Sequence, residues 1–321
     1  MGKKLVFCMI VAVIVTLLWS NCGGDRSDTI RISGAWALYP MMQVWADEYR
    51  RIKPVDIEVG GGGAGKGMSD VLNGQVDIAM CSRPIREEEM KLGAFYLAVT
   101  KDAVIALVNA ENPVLPQLMS RGLSRETLKA VFMKKVLRWG EVGHRELTGD
   151  SIVVYGRADA SGAAQVWARF LGDYSQSDIQ DQADANFSGD QALCNGIKNN
   201  RNAIGFCNIN YAYNIEDDGY ADGIRPVPVD LDENGILDPD ENFYANRSLL
   251  VQNITLGVYP SPPARLEYLV SRGPFSPTAR EFVRWILTDG QAFVSGNGYV
   301  NLPAVQLQQE IEYLQKGARH R

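Results

Sequence analysis

Histidine is nearly missing from this chain: His144 and His320 are the only two in 321 residues. Histidine-based acid–base catalysis and His-rich zinc sites are thereby almost excluded. A surplus of positive charge is missing too. Lys+Arg 32 against Asp+Glu 38 gives a net charge of -6, whereas nucleic-acid binders need a basic surface to displace counterions. Cysteine is sparse, with 5 residues and no CxxC or Cys/His spacing that suggests a metal. The one long apolar run, residues 5–18, is too short to span a bilayer comfortably. What is present is 46% hydrophobic residues, the level of a globular protein with one large domain or two ordinary ones.

That apolar run follows Lys3 and Lys4 and precedes Ser20-Asn21-Cys22 and a polar stretch. The order is that of a lipoprotein leader. Residues 1–21 are expected to be a signal peptide, Cys22 the lipidated first residue and 22–28 an anchor linker. A plain secretory signal or an uncleaved anchor is the alternative. All three place the rest outside the cytoplasm, in the periplasm or at the cell surface. Cys81, Cys194 and Cys207 then face an oxidising compartment. They read as buried small hydrophobes, with a Cys194–Cys207 pair left open.

From residue 29 the pattern alternates strand and helix, the mark of an α/β sheet with its site at the carboxyl ends of the strands. Strands are expected at 30–33, 55–59, 76–81, 152–155 and 203–208, and helices from 40, 66–73, 123–133, 163–171, 190–200 and 278–287. Residues 95–108 read as a crossover into a second lobe, and the chain crosses back near 259–270. Three loops at the ends of strands stand out: 33–40, the glycine run at 60–67, and 157–163. Each can present backbone N–H groups at a helix N-terminus, which with the helix dipole makes an anion site. Arg157 adds a charged fork suited to phosphate. Asp159 could hold that fork, and Ser161 offers a hydroxyl. One such loop alone is often ordinary punctuation between strand and helix; three with an Arg/Asp/Ser cluster are harder to dismiss. Gly60-x4-Gly65-Lys66 is a false lead to nucleotide binding, because Gly67 stands where a P-loop needs a magnesium-binding hydroxyl.

The ordered series Gly63-Ala64-Gly65-Lys66-Gly67-Met68, Val76-Asp77-Ile78-Ala79-Met80-Cys81-Ser82-Arg83, Trp139-Gly140-Glu141, Gly156-Arg157-x-Asp159-x-Ser161-Gly162, Asn202-Ala203-Ile204-Gly205-Phe206 and Leu287-Thr288-Asp289-Gly290-Gln291 resembles the phosphate-binding proteins of Pst-type ABC transporters. The similarity runs over nearly all of the mature chain. It implies an α/β, type II periplasmic-binding fold: two α/β lobes joined by two crossover strands, with the anion in the cleft between them. Residues 29–103 and 265–321 would form lobe I and 104–264 lobe II. Carried over residue by residue, the anion-binding positions are Ala37, Leu38, Tyr39, Gly63, Ala64, Gly65, Ser82, Arg157, Asp159, Ser161, Gly162 and Ala163. Several hydroxyls usual in the family are absent: Leu38, Ala64 and Ala163 stand in their places. Ser82 occupies a position that is Asp in some members, where it accepts a proton of the phosphate. Backbone donors survive such replacements and side-chain donors do not.

Residues 230–241 fit D-x-D-x-N-G-x-x-D-x-x-E, the calcium-loop pattern. Asp230, Asp232, Asn234, Asp238 and Glu241 would supply side-chain oxygens and Ile236 its carbonyl. Flanking helices are not evident, so a structural Ca2+ pinning an insertion is expected rather than a paired hand. The functional expectation is a monomeric, lipid-anchored receptor, with no catalysis, that passes phosphate or a related oxyanion to an ABC permease in the membrane. A surface-tethered sensor or adhesion module with a degenerate pocket is the rival.

Overall fold

The computed structural model describes residues 29–142 and 150–319. The expected leader, Cys22, His144 and His320 lie outside them. The first βα units fall where the alternation puts them: β1 (Thr29–Gly34), the helix Tyr39–Ile52, β2 (Asp56–Gly60), the helix Ala64–Leu72 and β3 (Ile78–Cys81). β1 pairs in parallel with both β2 and β3. The helix Tyr39–Ile52 starts with Pro40 in its first turn and ends on Arg50 and Arg51, the asymmetry favoured by the missing proline N–H and by the helix dipole. It buries Met41, Met42, Trp45, Ala46 and Tyr49. Tyr49 packs on Phe282 and Trp285 of the helix Pro277–Leu287. The Trp45 indole N–H donates to the Gly290 carbonyl at 2.9 Å. The chain's last quarter thus returns to complete the first core.

The link between lobes is β4 (Ala94–Asn109), 16 residues long. Up to Ala103 it runs antiparallel to β11 (Ala264–Arg272). From Val104 onward it pairs instead with β8 (Ala203–Asn208) and β9 (Ile224–Pro226). β8 continues in parallel to β6 (Val153–Arg157), and β6 to β7 (Ala185–Phe187). Side chains alternate along this strand. Val104, Ala106 and Val108 enter a core with Phe132, Trp167 and Phe206. Ala103, Ile105 and Leu107 enter the opposite core with Leu193, Tyr244 and Tyr259. Burial on both faces explains why the segment reads as an apolar run rather than an alternating one. Each large aliphatic side chain so buried contributes about 1.5–3 kcal/mol relative to exposure.

The expected helix over 123–133 is shorter than its apolar pattern. Leu123–Ser124 forms β5, which pairs with β10 (Val229–Asp230). Ser124 then caps the helix Arg125–Phe132 by accepting the Thr127 N–H at 3.1 Å. The glycine-run helix starts at Ala64, two residues before the expected start, with Gly63 as its cap at φ 92. Cys81, Cys194 and Cys207 are free thiols, Cys81 and Cys207 fully buried. No helix among the described residues is long and apolar enough to cross a membrane.

Candidate anion-binding cleft

The three loops singled out in the sequence meet face to face. Gly65 of lobe I donates its N–H to the Ala160 carbonyl of lobe II at 3.0 Å. Ser82, just past β3, lies against Gly162 so tightly that a Cβ there would stand 2.1 Å from Ser82 Oγ. A Cβ on Gly63 would lie 2.7 Å from Asp159 Oδ2. The lobes are closed on one another, and glycine is what allows the backbones to approach.

This closure spends several of the expected donors. Gly63 donates to the Gly34 carbonyl and Leu38 to that of Ala35. The Ser161 N–H goes to Gln176 Oε1 at 3.0 Å. Helix geometry leaves first-turn amides without an intrahelical partner, and here no bond of the described residues takes those of Tyr39, Ala64, Gly162 or Ala163. Tyr39 and Ala64 open helices of lobe I; Gly162 and Ala163 open the lobe II helix Gly162–Leu171. Ser161 caps that helix by accepting the Ala164 N–H at 3.2 Å, so its own hydroxyl hydrogen remains to donate. Ala37 is held from behind, where the Tyr299 hydroxyl donates to its carbonyl at 2.6 Å.

Arg157 ends β6 and is only 2% exposed. Its Nε and Nη2 donate to the two oxygens of Asp159, each at 2.8 Å, as the sequence suggested. A second partner was not foreseen: Nη1 donates to Asp190 Oδ2 at 2.8 Å. Asp190 is itself fully buried, and its other oxygen accepts the Asn208 N–H at 3.0 Å. Of five guanidinium hydrogens, three are used and two are left. The trio carries one positive and two negative charges. Its two carboxylates keep Arg157 protonated, pushing its pKa up against the opposing effect of burial. Asp190 opens the helix Asp190–Lys198 after Gly189, a fourth strand–glycine–helix unit following β7. That order was the available signal for it.

Lys66 and Arg83 carry positive charge near these loops but are paired elsewhere. Lys66 pairs with Asp70, which also takes the Ser33 hydroxyl at 2.6 Å. Its charge is thus spent within lobe I. Arg83 is buried against Glu89 and holds the turn after β3. Trp36 covers Gly61 and lies against Gly189 of the other lobe. The Tyr211 hydroxyl donates to the Trp36 carbonyl at 3.0 Å.

Behind the cleft, the crossover strands bury a charge cluster. Arg265 donates to Glu267 Oε1 at 3.1 Å and approaches Asp102 Oδ2 at 3.4 Å; it also bonds Asn208. Asp102 and Glu267 are fully buried, and one guanidinium cannot balance both. Burial is the largest effect, lifting Asp102 to about 7 and Glu267 to about 8 against the pull of Arg265, with Asp190 adding to the rise. Unfolded carboxyls titrate near 4. Between there and pH 7–8 the folded state binds more protons than the unfolded one, so stability falls as pH rises through that window. The melting temperature should therefore be lower at pH 8 than at pH 5, and Asp102→Asn should flatten the dependence. A melting temperature that rises over this range would contradict the charge count.

A two-lobed α/β receptor fold, with helix starts from both lobes brought together where the lobes meet, defines the solute-binding class. Residues 21–290 match the family model described as PBP superfamily domain, and the chain belongs to that family. Protein SphX of Synechococcus elongatus is 27% identical over 318 residues, covering 94% of this chain and 86% of SphX. Phosphate-binding protein PstS of Pseudomonas aeruginosa is 24% identical over 307 residues, covering 88% of this chain and 85% of its own. Among solved structures, an ABC-type phosphate transport receptor from Vibrio cholerae superposes with TM-score 0.60 at 21% identity, covering 85% of this chain and 100% of the receptor. A phosphate binding protein from Stenotrophomonas maltophilia gives 0.63 at 14% identity, covering 88% and 93%. These structures share the type II periplasmic-binding fold expected from the sequence.

Proposed function

We propose that this chain is the extracytoplasmic receptor of an ABC importer and that its cargo is phosphate. The carrying observation is the set of unspent amides, Tyr39 and Ala64 from one lobe and Gly162 and Ala163 from the other, beside a buried guanidinium with two hydrogens to give. Such donors suit a small tetrahedral anion, and full use of them needs both lobes. The relatives named for phosphate support the reading. Capture and release of the anion is the proposed activity. A lipid anchor at Cys22 would keep the receptor beside its permease.

The trio's charge points to phosphate over sulfate. Two carboxylates per guanidinium repel a fully ionised guest but can accept a hydrogen from one that still carries a proton. Asp159 Oδ2 and Asp190 Oδ2 each accept one described bond, which leaves each a further lone pair. They therefore supply carboxylate acceptors where Ser82 offers only a hydroxyl. Calorimetry with phosphate, arsenate, sulfate and molybdate tests this. Phosphate and arsenate should bind at least ~100-fold more tightly than sulfate, a gap of about 2.7 kcal/mol. Equal binding of sulfate would remove the proton-acceptor role. Silence across the panel would favour the tethered sensor or adhesion module.

A further inference from the structure

We propose that Asp230, Asp232, Asn234, Ile236, Asp238 and Glu241 form a calcium site that holds lobe II together, independent of the anion cleft. Three of these side chains, Asp230, Asp232 and Glu241, already bring carboxylate oxygens within 4.8 Å of one another. Six carboxylates fall within residues 230–241, and among the described residues no Lys or Arg pairs with any of them. Like charges held this close repel unless a cation joins them.

The independent sign of a ligand is Glu241. It is only 6% exposed. Its Oε1 accepts the N–H groups of Leu231 at 2.7 Å and Asp232 at 3.1 Å. Its Oε2 is buried and has no hydrogen-bond partner. Leaving a buried carboxylate oxygen without a donor or cation is costly. The backbone is already bent around the proposed centre. Gly235 turns at φ 83 with open space around it. Asp230 is fixed by accepting the Asn234 N–H at 3.2 Å and the Gly235 N–H at 2.9 Å. Asn234 Nδ2 donates to Asp232 Oδ2 at 3.0 Å and to Asp238 Oδ2 at 2.8 Å. A cation would take over these two oxygens. An all-oxygen set with one carboxylate able to bind through both atoms suits calcium, whereas magnesium demands a tighter octahedron and keeps its waters.

The loop's ends show what the ion would secure. On one side Asp230 closes β10 against β5. On the other, Phe243 and Tyr244 are buried and stacked at 4.8 Å. The Tyr244 hydroxyl accepts the Val229 N–H at 3.2 Å, joining the two ends. Among the described residues no hydrogen bond or ion pair joins this loop to Arg157 or to the helix starts of the cleft, so calcium acts on lobe stability and not on the anion.

The test is thermal unfolding of the full exported chain after EDTA treatment, titrated with Ca2+ or Mg2+. Calcium should raise the melting temperature in a saturable way, by roughly 5 °C or more once its concentration far exceeds Kd, with Mg2+ much weaker. Asp232→Asn, at an exposed position, should keep the EDTA-state melting temperature and lose most of the calcium response; Glu241→Gln should lose it too. No calcium shift, or equal shifts with Mg2+ that survive in Asp232→Asn, would overturn the site. Phosphate calorimetry on the EDTA-treated protein separates this from the cleft: at a temperature where that protein is folded, phosphate affinity should be unchanged. A tenfold or greater loss would overturn the independence of the two sites.

Discussion

Gly162→Ala should weaken phosphate capture by ~100-fold or more while leaving both lobes folded. Gly162 is the first residue of its helix, and its φ lies outside the left-handed region. Within an open lobe II, alanine is tolerated there or even preferred, since it orders a helix better than glycine. The conflict exists only on closure. The added Cβ would lie 2.1 Å from Ser82 Oγ, 2.7 Å from the Ser82 carbonyl oxygen and 2.9 Å from its carbon. The hydroxyl can rotate away, but the carbonyl cannot. Ser82 directly follows β3, whose Cys81 is paired with Tyr268 of β11. Relief would require a shift of the central strand of lobe I. The lobes would stop short, and the anion would meet the amides of one lobe only. A loss of ~100-fold or more in affinity, about 2.7 kcal/mol, is expected by calorimetry, with a melting temperature equal to or above wild type in the absence of phosphate. Gly296→Ala is the control, because nothing lies within 4 Å of a Cβ there. Unchanged phosphate affinity in Gly162→Ala would mean that the closed contact between Ser82 and Gly162 is not part of capture.

This substitution also shows where sequence reasoning reached and where it stopped. The glycine loops were legible because a glycine run between a strand and a helix is a local pattern. What each amide faces is not local. Gly63 and Gly65 read as anion donors, yet their N–H groups meet the carbonyls of Gly34 and Ala160, the second across the lobe boundary. The same distinction separates the charged residues. Asp159 lies two positions from Arg157, and its partnership could be read off the spacing. Asp190 lies 33 positions away and looks like any acidic residue in the first turn of a helix, where the dipole alone would favour it. Arg265 and Asp102 are 163 positions apart. Lys101 and Asp102 interrupt the apolar run at 95–108, but nothing nearby in the sequence names a partner for Asp102. The calcium pattern is the opposite case, since all its proposed ligands lie within twelve consecutive residues and only the unpartnered oxygen of Glu241 needed the fold to reveal it.

The partner hidden from the sequence sets the size of the other large effect, that of Arg157→Ala. The guanidinium is 2% exposed and bonded to two carboxylates, of which Asp190 is fully buried. Its removal does more than delete an anion contact. It leaves Asp159 and Asp190 facing each other without a cation, and breaking a buried ion pair from one side costs about 3–5 kcal/mol. Denaturant unfolding of the variant should show a loss of that order, with phosphate binding undetectable, because an incoming anion would meet uncompensated negative charge. Arg157→Lys separates the two losses. A lysine keeps the charge but cannot place hydrogens on Asp159, Asp190 and the guest together, because its ammonium is a single point and not a fork. Part of the stability should return while phosphate binding stays at least ~10-fold weaker, a deficit of about 1.4 kcal/mol. Wild-type affinity in a folded Arg157→Ala protein would show that the buried guanidinium serves lobe II alone, and the anion's place would then have to be sought away from β6.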